Sequence, residues 1–145
     1  MTITNASPHH APAIATLIMQ AMTDDCCQFL AGPDHPLADF RDMMLALVEM
    51  DDSQYSYRNA LVALDDEASG GDLATAPVAG AIVGYDGADL RRLRRRFQEE
   101  ALRRLEMDYS QMDDETQAGV LSRFACRLPA IPSSRHCQAA ASRHQ

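Results

Sequence analysis

Two short apolar runs separated by a polar, glycine-rich stretch set the strongest limit on what this chain can fold into. The runs are "NALVAL" (59–64) and "PVAGAIVGYDG" (77–87), and the stretch between them is "DDEASGGDLATA". Each run is too short to be a buried helix, and the intervening stretch has turn chemistry, so the pair reads as an antiparallel hairpin. Gly80 and Gly84 weaken the second strand's interior, which suggests close packing or backbone approach there.

The flanking segments change period. "TITNAS" alternates and reads as a short first strand; Ser7 followed by Pro8 fits a helix N-cap with proline at the first helical position. Ile14, Leu17, Ile18, Ala21 and Met22 then recur at helical spacing until "AGPDHP" breaks the pattern. A second helix follows, with Leu37, Phe40, Met43, Met44, Leu47 and Val48 on one stripe. After the hairpin, "ADLRRLRRRFQEEALRRLEM" places Leu90, Leu93, Phe97, Ala101 and Leu105 on the apolar face of a long helix. Its arginines read as a solvated face, because Arg95–Glu99, Arg96–Glu100, Glu99–Arg103 and Glu100–Arg104 are all spaced for ion pairs. "DYSQMDDETQAG" is then an acidic loop. The predicted order is β-α-α-β-β-α, an α+β fold in which helices flank an antiparallel sheet. Three strands leave such a sheet with an open edge, which implies self-association or aggregation through that edge.

Composition narrows the function classes. The chain has 145 residues and a formal net charge of −8. That length suits one domain, and that charge repels phosphate backbones, so no nucleic-acid partner is expected. No apolar run approaches the ~18 residues of a membrane span, and "MTITNASPHH" has no basic segment followed by an apolar one. No membrane partner is expected, and the expected compartment is the cytoplasm. Cys26, Cys27, Cys126 and Cys137 lack metal-site spacing and read as free thiols. His9 and His10 read as solvent-exposed and pointing apart. Asp24, Asp25, Cys26, Cys27 and His35 are denser, but a zinc site needs separated ligands converging in four, so no metal is expected.

"TITNASPHHAPAIATLIMQAM", "NALVALDD" and "VAGAIVGYDG", followed by a helix and an acidic loop, carry a likeness: the chain from Met1 to about Gly119 resembles the N-terminal half of a GNAT-family N-acetyltransferase. The narrower features "MTDDCCQFLAGP" and "DSQYSYRNALVALDD" resemble a bacterial subgroup of it. The resemblance implies a partial acyl-CoA N-acyltransferase fold, with acetyl-CoA as co-substrate and a small-molecule or peptide amine as acceptor. The implied chemistry is direct attack of that amine on the thioester. It also implies that the end of the first helix and the loop after it line the acceptor cleft. Asp25, Cys26, Phe29, Tyr55 and Tyr85 are the candidate substrate-binding residues on that basis, against ordinary packing. Asp114 and Glu115, beside Asp113, are the candidate general bases that would keep the amine neutral, against a solvated loop.

The family's later motif is a strand reading roughly "YLDSLAV", then a glycine-containing loop whose backbone N–H groups cradle pyrophosphate at a helix N-terminus. It should begin at Val120 and is absent; "VLSRFACRLPAIPSSRHCQAAASRHQ" has no helical or strand period. Permitted codons for this stretch, read one base out of register, spell "FYLDSLAVCPQYRRRGIARRLL", which contains both missing parts. Residues 120–145 therefore read either as an out-of-frame translation or as a polar natural tail. On the first reading the chain is an acetyltransferase without a cofactor loop, with little or no activity. The second reading leaves a catalytically dead acidic interaction module that uses its open sheet edge.

Overall fold

A computed structural model of the chain describes residues 1–111. Strand β1 is Thr2–Asn5, and helices α1 (Ala11–Met22), α2 (Asp24–Ala31) and α3 (Leu37–Glu49) follow it. Then come β2 (Ala60–Leu64), β3 (Val78–Val83) and α4 (Leu90–Leu105). The three strands form one antiparallel sheet in the order β1-β2-β3. The fold of these residues is α+β, as the alternation of periods predicts.

The helix count differs from the expected order, because three helices rather than two separate β1 from β2. The break falls at Thr23, whose φ of 74° and ψ of 153° cannot continue α1. Its hydroxyl accepts from the Cys26 backbone N–H at 3.4 Å, and Asp24 and Asp25 occupy the first turn of α2, where the helix dipole favours carboxylates. "TDD" is thus a helix start inside what the apolar spacing reads as a helix end. Gly32 closes α2 with φ 85°, and Pro36 precedes α3.

The core lies between the helices and one face of the sheet. Helix α3 is central and packs against α1, α2 and α4, burying Phe40, Met43, Met44, Leu47 and Val48. Ile14 and Met19 of α1, Leu93, Phe97, Ala101 and Leu105 of α4, and Ala60, Val62 and Leu64 of β2 complete it. Each large apolar side chain buried this way contributes about 1.5–3 kcal/mol.

Register fixes what the other sheet face shows. Ile3 pairs with Ala63, and Leu61 with Ile82, so these side chains share the outer face. Ile3 is 72% exposed, Ile82 73% and Leu61 44%. Gly80 and Gly84 do not sit in the tight packing expected, since no heavy atom of the described residues lies within 4 Å of where a Cβ would stand at either. The pairing of β2 with β3 slips by one between Ala63 and Leu64, a local bulge. The hairpin connection anchors the chain's start: Asp66 accepts from the Met1 ammonium group and from the Thr2 hydroxyl.

The charges on α4 pair differently from the spacing expectation. Of the four expected pairs only Glu100–Arg104 forms, at 2.6 Å, and Glu100 also holds Arg103 at 2.6 Å. Arg96 turns to Asp52 at 2.7 Å and to Glu99 at 3.0 Å. A partner on a neighbouring loop that presents its carboxylate to the helix competes with one on the same helix.

Candidate functional site

Polar and aromatic side chains meet under the surface between α2, the 51–56 loop and α4, with Tyr85 beyond β3 at the exposed margin. Cys26 stands on the inner side of α2 and is fully buried. Its position follows from the turn at Thr23, which rotates α2 so that Cys26, Cys27, Leu30 and Ala31 face inward. From α4, Phe97 packs edge-on to Tyr55, with ring centroids 6.3 Å apart, and against Tyr109 at 5.7 Å. Tyr109 donates from its hydroxyl to the Leu30 carbonyl oxygen at 2.8 Å, and its own carbonyl accepts from the Gln98 amide at 3.0 Å.

The electrostatics of this cluster hold its protons in place. Burial pushes the Tyr55 hydroxyl up to about 12 against a hydrogen bond from the Gln54 side chain, with Tyr85, Cys26 and Arg94 close enough to act on it. Tyr109 is pushed up to about 12, first by burial and then by Cys26. Burial raises the Cys26 thiol, and raises Cys27 to about 12 with Cys26 and Asp24 adding to it. At neutral pH the cluster therefore presents hydroxyls and thiols that donate hydrogen bonds, and no thiolate nucleophile. Gln54 is 5% exposed and, among the described residues, its Oε1 has no hydrogen-bond partner.

The sequence candidates divide between this cluster and the surface. Cys26 and Tyr55 are buried near one another, and Tyr85, 36% exposed, lies near enough to act on Tyr55. Asp25 and Phe29 stand one turn apart on the outer side of α2, with Phe29 53% exposed. Asp114 and Glu115, with Asp113, lie outside the described residues, as do Cys126, Cys137 and everything from Val120 on. Gln54, Arg94, Phe97 and Tyr109 join the cluster although their sequence context does not single them out for it. Arg94 shows why. The arginine run reads as one solvated face, yet position 94 lies on the stripe of Leu90, Leu93, Phe97 and Ala101, and Arg94 is buried. Its register within the helix, not its charge, carries the signal.

Cys26 and Cys27 are free thiols. His9 is exposed, but His10 is buried and the two rings lie 3.9 Å apart, which corrects the expectation of two exposed rings pointing apart. His35 pairs with Asp39 at 2.8 Å rather than with the cysteines. Among the described residues no three His, Cys, Asp or Glu side chains converge to hold a metal ion, and no helix is long and apolar enough to cross a membrane. No protein-family model, no curated protein and no solved structure matches this chain.

Proposed function

We propose that the described body is the acceptor-side half of a GNAT-like N-acetyltransferase, and that this chain does not itself transfer acetyl groups. The observation that carries the reading is the stretch after Gly119. One base out of register it permits "YLDSLAV" followed by "RRRGIA", the strand and loop that a β1-β2-β3 antiparallel sheet with a following helix would need next. In the complete fold, an acceptor amine would attack the carbonyl carbon of bound acetyl-CoA. A new C–N bond forms, the C–S bond breaks, and the departing thiolate takes a proton. Asp114 or Glu115 would remove the amine's proton. Tyr55 and Cys26, both held protonated by burial, would line the acceptor side, with Tyr85 beside them. The loop that would hold the pyrophosphate is missing from this reading frame, and with it the tight binding of acetyl-CoA.

Sequencing the gene across the codons for Glu115 to Leu121 and onward tests this. A one- or two-base change that opens "YLDSLAV…RRRGIA" supports the reading. A sound frame with no such motif in either alternative frame overturns it.

A second reading is favoured by the bare outer sheet face, where Ile3, Leu61 and Ile82 meet water. An interaction module would cover that face or pair β3 with a partner strand. A defined complex on size-exclusion chromatography supports the module; aggregation alone supports a half-sheet deprived of its second layer.

A further inference from the structure

We propose that His10 is a proton-sensitive pin joining β1 to α1, and that acid releases it. The Ser7 backbone N–H donates to His10 Nδ1 at 3.1 Å. A nitrogen that accepts carries no proton, so the neutral ring has its hydrogen on Nε2. The pin thus occupies the sharp bend where the edge strand turns into the first helix, through the short 3-10 turn Pro8–His10. One residue earlier, the Ala6 N–H donates to the Ala60 carbonyl oxygen at 3.0 Å, the last rung holding β1 to β2.

Four features of this place oppose a charged ring. Protonation puts a hydrogen on Nδ1, where the Ser7 N–H already points, so the bond is lost and a backbone donor is orphaned. The side chain is 6% exposed and its Nε2 has no hydrogen-bond partner among the described residues, which leaves the cation the Ser7 hydroxyl, 3.2 Å from Nδ1, as its one neutral acceptor there. His10 precedes the first residue of the twelve-residue α1, where the dipole presents positive charge. The His9 ring lies tilted beside it, with centroids 3.9 Å apart, and its charge disfavours a second charge on His10. Among the described residues His9 is the titratable group that faces His10; the Ser7 hydroxyl lies 2.8 Å from His9 Nδ1 and 3.2 Å from His10 Nδ1.

The linkage has a definite sign. Burial first, and His9 second, hold His10 below its ordinary value of 6.5. The unfolded chain then binds the proton more readily than the folded one, so stability rises with pH between the depressed folded value and 6.5. As pH falls through that window the stabilisation is withdrawn. The part that gives way is the four-residue β1 and the bend behind it, and its release would bare the second edge of β2.

Backbone amide exchange of the full chain from pH 7.5 to 5.0, corrected for intrinsic rates, tests the pin. The expected result is that protection of the Ser7 and Ala6 amides falls roughly threefold to tenfold toward acid, the range for one lost hydrogen bond. Core amides of α3 should hold. His10→Gln, whose amide oxygen can accept without titrating, should flatten the response, and His9→Gln should keep it. A flat wild-type profile, or an equal fall in His10→Gln, overturns the proposal. Nitrogen shifts of the wild-type ring provide a check that needs no variant: a proton on Nε2 at neutral pH supports the pin, and one on Nδ1 refutes it.

Discussion

The hydroxyl of Tyr109 donates to the carbonyl oxygen of Leu30 across 79 positions of sequence, at 2.8 Å and out of water. This bond ties the segment leaving α4 to the last turn of α2, where helix carbonyls have no partner of their own. Tyr109→Phe keeps the packing on Phe97 and strands the Leu30 carbonyl. The expected cost is about 1–2 kcal/mol. Tyr109→Ala also removes a buried ring, for about 3–5 kcal/mol. Urea unfolding checks both: the midpoints should fall in that order with the slope unchanged.

The turn one step further on is equally particular. Gly32 has φ 85° and ψ 174°, a region open essentially to glycine, and a Cβ there would stand 2.6 Å from Met107 Sδ. Gly32→Ala is expected to cost about 1–3 kcal/mol from the backbone alone, with the Met107 clash added to it. Adding Met107→Ala should recover the clash and leave the backbone cost. A double-mutant cycle by urea unfolding separates the two, and strict additivity would show that the side chains do not meet.

Thr23 occupies a similar backbone region without being glycine, with φ 74° and ψ 153°. A β-branched residue held there stores about 1–3 kcal/mol. Glycine at an N-cap costs only a few tenths relative to threonine. Thr23→Gly is therefore expected to raise the melting temperature, whereas Thr23→Ala keeps the strain, loses the cap and should lower it. A fall in both variants would mean the cap outweighs the strain.

Cys26 and Cys27 are buried and their thiols are raised, Cys27 to about 12. Iodoacetamide at pH 7.5 should leave the peptide carrying both unmodified in the native chain and label it fully in denaturant, as read by peptide mass mapping. Native labelling within minutes would contradict the packing of α2.

The strands, the hairpin and the long last helix are legible in the sequence because period and turn chemistry are local properties. Val62 and Leu64 face inward and Leu61 outward by alternation alone. The break at Thr23 is not legible, because apolar spacing runs on through Cys26, Cys27 and Leu30, and the cap signal of "TDD" competes with it. The cluster is half legible. Cys26, Tyr55 and Tyr85 stand out through the family resemblance, whereas Arg94 reaches it by its register on α4 and Tyr109 by a hydrogen bond that spans the chain. The pin at His10 runs against the sequence expectation, since adjacent histidines at a helix start usually face water, and only the bend between β1 and α1 turns one inward.

The most direct test of the proposed function is a calorimetric titration of acetyl-CoA into two proteins. One is the 145-residue chain itself, and the other is its counterpart with the reading frame shifted from the codon for Val120 onward. No binding in the micromolar range is expected for the first, and both micromolar binding and acetyl transfer to an amine for the second. Micromolar binding by the unshifted chain, or none by the frame-shifted protein, would contradict it.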